Sequence, residues 1–64
     1  MSEVQQHVYV CQIKAFSVIA EIEGMKALNQ ERKSCGLSLA YGEDAFYACA
    51  DRLNKIAIEA MRYY

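Results

Sequence analysis

One short break in an otherwise helical pattern decides the fold of this chain: Ser34-Cys35-Gly36-Leu37-Ser38-Leu39-Ala40-Tyr41-Gly42. The break holds two of the three glycines, and the chain contains no proline. On either side of it, apolar residues recur with the period of an α-helix. We therefore predict an all-α helical hairpin in a single domain, 1–64, with a helix over about 3–34, a loop over about 35–42 and a helix over about 43–63.

Residues at the helix ends support these boundaries. Ser2 and Gln5 have the spacing of a capping box at the start of the first helix. Gly36 suits the position just after a helix, where a left-handed backbone is favoured. The negative charges of Glu43 and Asp44 favour the start of a second helix, because they face the positive end of its dipole.

An a/d heptad seam runs through both helices. Its members are Val4, Val8, Cys11, Ala15, Val18, Ile22, Met25 and Asn29 in the first helix, and Phe46, Cys49, Leu53, Ile56, Ala60 and Tyr63 in the second. Two helices that each carry such a seam and are joined by a short loop form an antiparallel hairpin. We assign Val8, Cys11, Ala15, Val18, Ile22 and Met25 to the core of an oligomer. The polar member, Asn29, either fixes the register of the helices or marks the point where the core has already ended.

A second apolar stripe lies on the first helix, roughly opposite the heptad seam. It contains Tyr9, Ile13, Phe16 and Ala20, with Ile19 between the two stripes. A two-helix monomer leaves one of these stripes in water, which soluble monomers rarely do. For a chain of 64 residues, the free energy gained by burying surface is about equal to the entropic cost of ordering the chain, so little net stability remains. We therefore expect a homo-oligomer built around the first helix, most simply a four-helix-bundle dimer.

Composition excludes several classes of protein. Seven basic residues against eight acidic ones give a net charge of −1, which argues against a dedicated DNA-binding domain. We expect no membrane attachment, because no run of about 18 apolar residues occurs and the first residues lack the basic segment of a secretory signal. Three cysteines without metal-binding spacing favour reduced thiols in the cytoplasm.

The chemistry-bearing residues are not arranged for catalysis. His7 has no nucleophile or carboxylate placed near it by the pattern, and we expect it to be a solvated surface residue. Cys11 and Cys49 fall on the seam and are expected to be small buried hydrophobic residues, whereas Cys35 lies in the loop. No phosphate-binding loop, nucleophile elbow or pair of carboxylates is present. We predict a protein that is not an enzyme and uses no cofactor or metal.

Tyrosines mark the candidate partner-binding surface. Tyr41 and Tyr47 lie at the loop end, and Tyr63 and Tyr64 are the last two residues. Such residues supply amphipathic contact area and are enriched in recognition surfaces. The alternative is that they cap the ends of the bundle. Gly24, inside the first helix, indicates either close approach of another backbone or ligand, or a tolerated surface glycine.

Two stretches resemble short open reading frames of lambdoid phages and enterobacterial prophages: Ala20-Glu21-Ile22-Glu23-Gly24-Met25-Lys26-Ala27-Leu28-Asn29-Gln30-Glu31-Arg32 and Ala40-Tyr41-Gly42-Glu43-Asp44-Ala45-Phe46-Tyr47. The resemblance covers about half the chain. It implies a phage accessory protein, made in the cytoplasm of a bacterial host, that blocks a host or anti-phage defence protein. Inhibition through protein–protein contacts is therefore our first functional expectation.

Two looser resemblances supply alternatives. Ile13-Lys14 and Arg62 are similar to an Ile-Lys pair and a late Arg in phage proteins that sequester cyclic oligonucleotide immune signals. That resemblance implies nucleotide binding by Lys14 and Arg62, with Tyr9 stacking on a base. In architecture alone, the hairpin is similar to Rop-type RNA-binding dimers, although Lys14, Lys26 and Arg32 offer only a thin phosphate-binding face.

Overall fold

The computed structural model describes residues 2–62. Two α-helices dominate this part of the chain: α1 spans Glu3–Ser34 and α2 spans Glu43–Met61, and no strand occurs among the described residues. The all-α, two-helix fold is therefore confirmed. The predicted second helix extends to 63, and Tyr63 and Tyr64 lie outside the described residues.

Local hydrogen bonds hold both ends of α1. At its start, the Ser2 hydroxyl accepts from the Gln5 backbone N–H at 3.2 Å, and the Gln5 side chain accepts from the Ser2 N–H at 3.3 Å. At its end, Gly36 adopts a φ of 73°, a left-handed conformation that glycine tolerates best. The chain then turns back, so that the Leu37 N–H donates to the Arg32 carbonyl at 2.8 Å.

The heptad seam forms the contact between the two helices. Cys11, Val18 and Cys49 are its buried members. The Met25 sulfur lies 3.8 Å from the Cys49 sulfur, which places Met25 and not Cys11 opposite Cys49. Most other seam residues are half-buried: Val8, Ala15, Ile22, Asn29, Phe46, Leu53, Ile56 and Ala60. Val4 is exposed, because α1 has 32 residues and extends beyond α2, which has 19.

The hairpin is one layer of helices thick. Its α-carbons extend over 51 × 20 × 9 Å. Independent domains are normally built from at least two packed layers around a core. The six residues assigned to an oligomer core lie in the interhelical seam of a single chain, and their place in a larger assembly stays a prediction.

Candidate functional site

The loop between the helices is tied down by a polar clamp. Asn29 forms two hydrogen bonds with the backbone of Tyr41: its Nδ2 donates to the carbonyl at 2.9 Å, and its Oδ1 accepts from the N–H at 2.9 Å. Arg32 Nε donates to the Ser38 carbonyl at 2.6 Å. Asn29 thus positions the loop against α1, a role that neither sequence-based alternative described.

The clamped loop forms one wall of an apolar groove, here called the loop-end groove. Leu39, Tyr41, Phe46 and Tyr47 line it, and its volume is about 360 Å³. Tyr47 is 68% exposed and Leu39 is 55% exposed, whereas Tyr41 is half-buried. The structure therefore brings Tyr41 and Tyr47 together, as a shared binding surface requires. Leu39 was missed by the sequence analysis, although a large apolar residue in a loop was a signal for it.

The second stripe of α1 forms an exposed apolar surface, here called the outer face. It consists of Tyr9, Ile13, Phe16 and Ala20, all of them exposed. Phe16 is 68% exposed and Ile13 is 66% exposed. Aromatic and branched side chains at this level of exposure, spaced three and four residues apart on one helix, are typical of a surface that contacts a partner.

Charged residues cover one long side of the hairpin, here called the ion-paired side. Arg52 Nη2 lies 2.8 Å from Glu21 Oε2, and Lys14 Nζ lies 3.8 Å from Glu59 Oε2. The hydrogen bond from Arg52, together with its positive charge, lowers the pKa of Glu21. The same contact raises the pKa of Arg52, so this pair stays charged at neutral pH.

The residues proposed for nucleotide binding are divided between two surfaces. Lys14 lies on the ion-paired side, and Arg62 lines a groove of about 310 Å³ there together with Lys55 and Glu59. Tyr9 lies five residues before Lys14, about 140° away around α1, on the outer face. A single chain therefore does not place Tyr9 beside the two basic residues, and Glu59 reduces the positive charge that a phosphate would meet.

The basic residues considered for RNA binding are engaged in local contacts. Lys14 pairs with Glu59, and Lys26 Nζ lies 3.2 Å from Glu23 Oε1. Arg32 donates to the loop backbone. A phosphate-binding strip depends on uncompensated positive charge, which these residues supply only weakly.

The remaining candidate groups are dispersed. The thiols of Cys11, Cys35 and Cys49 are free, and only the loop residue Cys35 is exposed. His7 is half-buried, so the expectation of a solvated histidine was wrong: it lies about 40° around α1 from the buried Cys11. Within residues 2–62, no three His, Cys, Asp or Glu side chains cluster in a way that could hold a metal ion. Neither described helix has a stretch long and apolar enough to cross a membrane.

The chain matches no protein-family model, no curated protein and no solved structure. Three surfaces of the hairpin are candidates for function: the loop-end groove, the outer face and the ion-paired side.

Proposed function

We propose that this protein acts by binding and not by catalysis, as a phage or prophage accessory protein in the bacterial cytoplasm. It docks on a host or anti-phage defence protein and inhibits it. Its working form is a four-helix-bundle dimer of the hairpin. The observation that carries the proposal is the loop-end groove, in which exposed Leu39 of the loop clamped by Asn29 lies beside exposed Tyr47 of α2.

A clamped apolar groove is suited to binding a protein for two reasons. Tyrosine is enriched among the residues that dominate binding energy, because it presents a large apolar ring and a hydroxyl with few rotatable bonds. The hydrogen bonds of Asn29 and Arg32 order the loop before any partner arrives, which lowers the entropic cost of binding.

The outer face of α1 adds contact area to the loop-end groove. Ile13 and Phe16 lie exposed on a helix whose opposite side packs against α2. A partner that covers both surfaces removes these side chains from water. This burial supplies the hydrophobic part of the binding energy.

Charge pairing favours this function over nucleotide sequestration. Sequestering a cyclic nucleotide depends on basic side chains that converge on its phosphates. Lys14 and Arg52 are instead paired with carboxylates of the opposite helix. Sequestration stays the alternative that the experiment below distinguishes, because two chains together can juxtapose residues that one chain separates.

The test is affinity capture from a bacterial lysate with three versions of the tagged protein: wild type, Tyr47→Ala and Ile58→Ala. Ile58 is the matched control, since it is also a large exposed apolar residue of α2 but does not line the loop-end groove. We expect one bacterial protein to be retained by wild type and Ile58→Ala. Once that bacterial protein is purified, its affinity for the Tyr47→Ala variant should be at least about tenfold weaker than for wild type, which corresponds to about 1.4 kcal/mol of binding free energy.

Two results would contradict the proposal. The first is a captured protein whose affinity is the same for all three versions. The second comes from native mass spectrometry of the gently purified protein: an added mass of nucleotide size on the oligomer establishes sequestration instead.

A further inference from the structure

The two long sides of the hairpin differ in chemistry. On α1, Lys14 and Glu21 lie about 40–60° to one side of buried Val18, whereas Val8, Ala15 and Ile19 lie about 60–100° to the other. Both ion pairs that join α1 to α2 within residues 2–62 belong to the first of these sides. The second side is here called the small-residue side.

The small-residue side contains an open apolar groove between the helices. Val8 and Ala15 of α1 and Leu53, Ala57 and Ala60 of α2 line it, with Gln12 as the polar member of the lining. Its volume is about 250 Å³. Alanines at this position let another helix approach closely, and the groove accepts its side chains as in other helix packings.

The single chain exposes more surface than a compact protein of its mass. Its accessible area is 5029 Å². A folded monomer of 7.3 kDa is expected to expose about 4,200 Å². The excess, about 800 Å², equals what one partner contributes to an interface of standard size. The missing contact is therefore as large as one full protein–protein interface.

We propose that a second copy of this chain docks on the small-residue side, related by a two-fold axis, and supplies the second layer of the bundle. The inference rests on the dimer in the proposed function and specifies which surface forms it. The seam and the groove together become the core of the dimer. The ion-paired side and the outer face of α1 stay outside it, and so does Tyr47, which lies about 80° around α2 from Ala57.

A second copy fits this surface better than a different protein does. The hairpin is one layer, 9 Å thick over its α-carbons, with three buried residues in its described part. A hairpin with so small a core needs its second layer in order to fold, and only another copy is present whenever the chain is made. The residues that line the groove carry no charge, so the groove meets an identical groove without like-charge repulsion.

The experiment compares two arginine substitutions on α2 by sedimentation equilibrium, with circular dichroism on the same samples. Ala57→Arg places a charge on the small-residue side. Ala48→Arg is the matched control, because Ala48 is also exposed and lies nine residues away, about 180° around the helix. We expect wild type and Ala48→Arg to have twice the mass of the chain, and Ala57→Arg to lose dimerisation by at least about a hundredfold.

A milder variant covers the case in which Ala57→Arg fails to fold. Ile19→Ala removes apolar area from the same side without adding a charge. We expect it to fold at high concentration, to dimerise about tenfold more weakly, and to melt at a temperature that rises with protein concentration.

Several results overturn the inference. They are a helical, cooperatively melting wild-type monomer, or dimers that Ala57→Arg and Ile19→Ala leave intact. A dimer lost with Phe16→Arg on the outer face but kept with Ala57→Arg overturns it as well. So does a monomer that uses Ala57 to bind a different protein. Tyr47→Ala separates the two proposals, since we expect it to lose the bacterial partner while it stays dimeric.

Discussion

The clamp between Asn29 and Tyr41 makes the sharpest prediction about stability. Replacing Asn29 by Ala removes two part-buried hydrogen bonds of 2.9 Å each. A hydrogen bond contributes about 1 kcal/mol net, so the clamp contributes about 2 kcal/mol. The substitution also replaces a weak helix former by the best one, which stabilises the helix by about 0.6 kcal/mol. We therefore expect Asn29→Ala to lower the free energy of unfolding by about 1.4 kcal/mol.

The control variant isolates the clamp from the change in helix propensity. Asn54 is an exposed asparagine inside α2, so Asn54→Ala is expected to stabilise the protein by about 0.6 kcal/mol through propensity alone. The difference between the two variants then equals the energy of the clamp. For a chain of 64 residues, the loss in Asn29→Ala corresponds to a melting temperature about 10 °C below that of wild type.

The assay is thermal and urea unfolding followed by circular dichroism, at one protein concentration for all variants. A third variant, Asn29→Asp, keeps the acceptor for the Tyr41 N–H but turns a negative charge toward the Tyr41 carbonyl. We expect it to be destabilised at pH 7 and to recover as acid protonates the carboxylate and restores a donor. Equal stability changes, within about 0.3 kcal/mol, for Asn29→Ala and Asn54→Ala would refute the clamp.

Three further predictions concern single residues of α1 and the residue just after its end. The hydrogen bond and charge of Arg52 lower the pKa of Glu21, so the pair stabilises the fold above the usual carboxyl pKa of about 4.3 and loses this contribution as Glu21 is protonated in acid. Glu21→Gln should therefore melt below wild type at pH 7 and level with it once the carboxyl is protonated, and a gap that persists in acid contradicts this expectation. Glu23→Gln, which breaks an ion pair within α1, should show a smaller difference at pH 7. Gly36→Ala should cost about 1 kcal/mol, because Gly36 has a φ of 73°. Gly24→Ala should instead stabilise by up to about 1 kcal/mol, because the added methyl meets no atom within 4 Å beyond its chain neighbours and the local helix backbone. A loss of stability at Gly24 would show a close contact there in the assembled protein.

Much of the hairpin could be predicted because its signals are local. The seam residues were identified from their three- and four-residue spacing, and the three buried residues among 2–62, Cys11, Val18 and Cys49, all belong to the seam. The capping box at Ser2 and the left-handed Gly36 follow in the same way from a few neighbouring residues. Such features depend on backbone geometry within a turn or two, which the sequence encodes directly.

The features that were missed depend on how the helices are set against each other. The ion pair between Lys14 and Glu59 was not predicted, because the distance between these residues follows only from the register of α1 against α2. The role of Asn29 depends on where the loop returns, since its partner is a backbone group twelve residues away. Spacing within one helix carries no information on either distance.

By itself, the sequence determined two helices, the start of α1, the helix ends that flank the loop and the face on which the helices meet, because helical periodicity and capping are properties of neighbouring residues. Only the tertiary structure decided that one side of the hairpin is ion-paired while the other presents an alanine-lined groove, and that the loop-end groove is clamped. Those properties arise from the relative register of two helices. Register is set by packing across the whole seam, and no short segment specifies it.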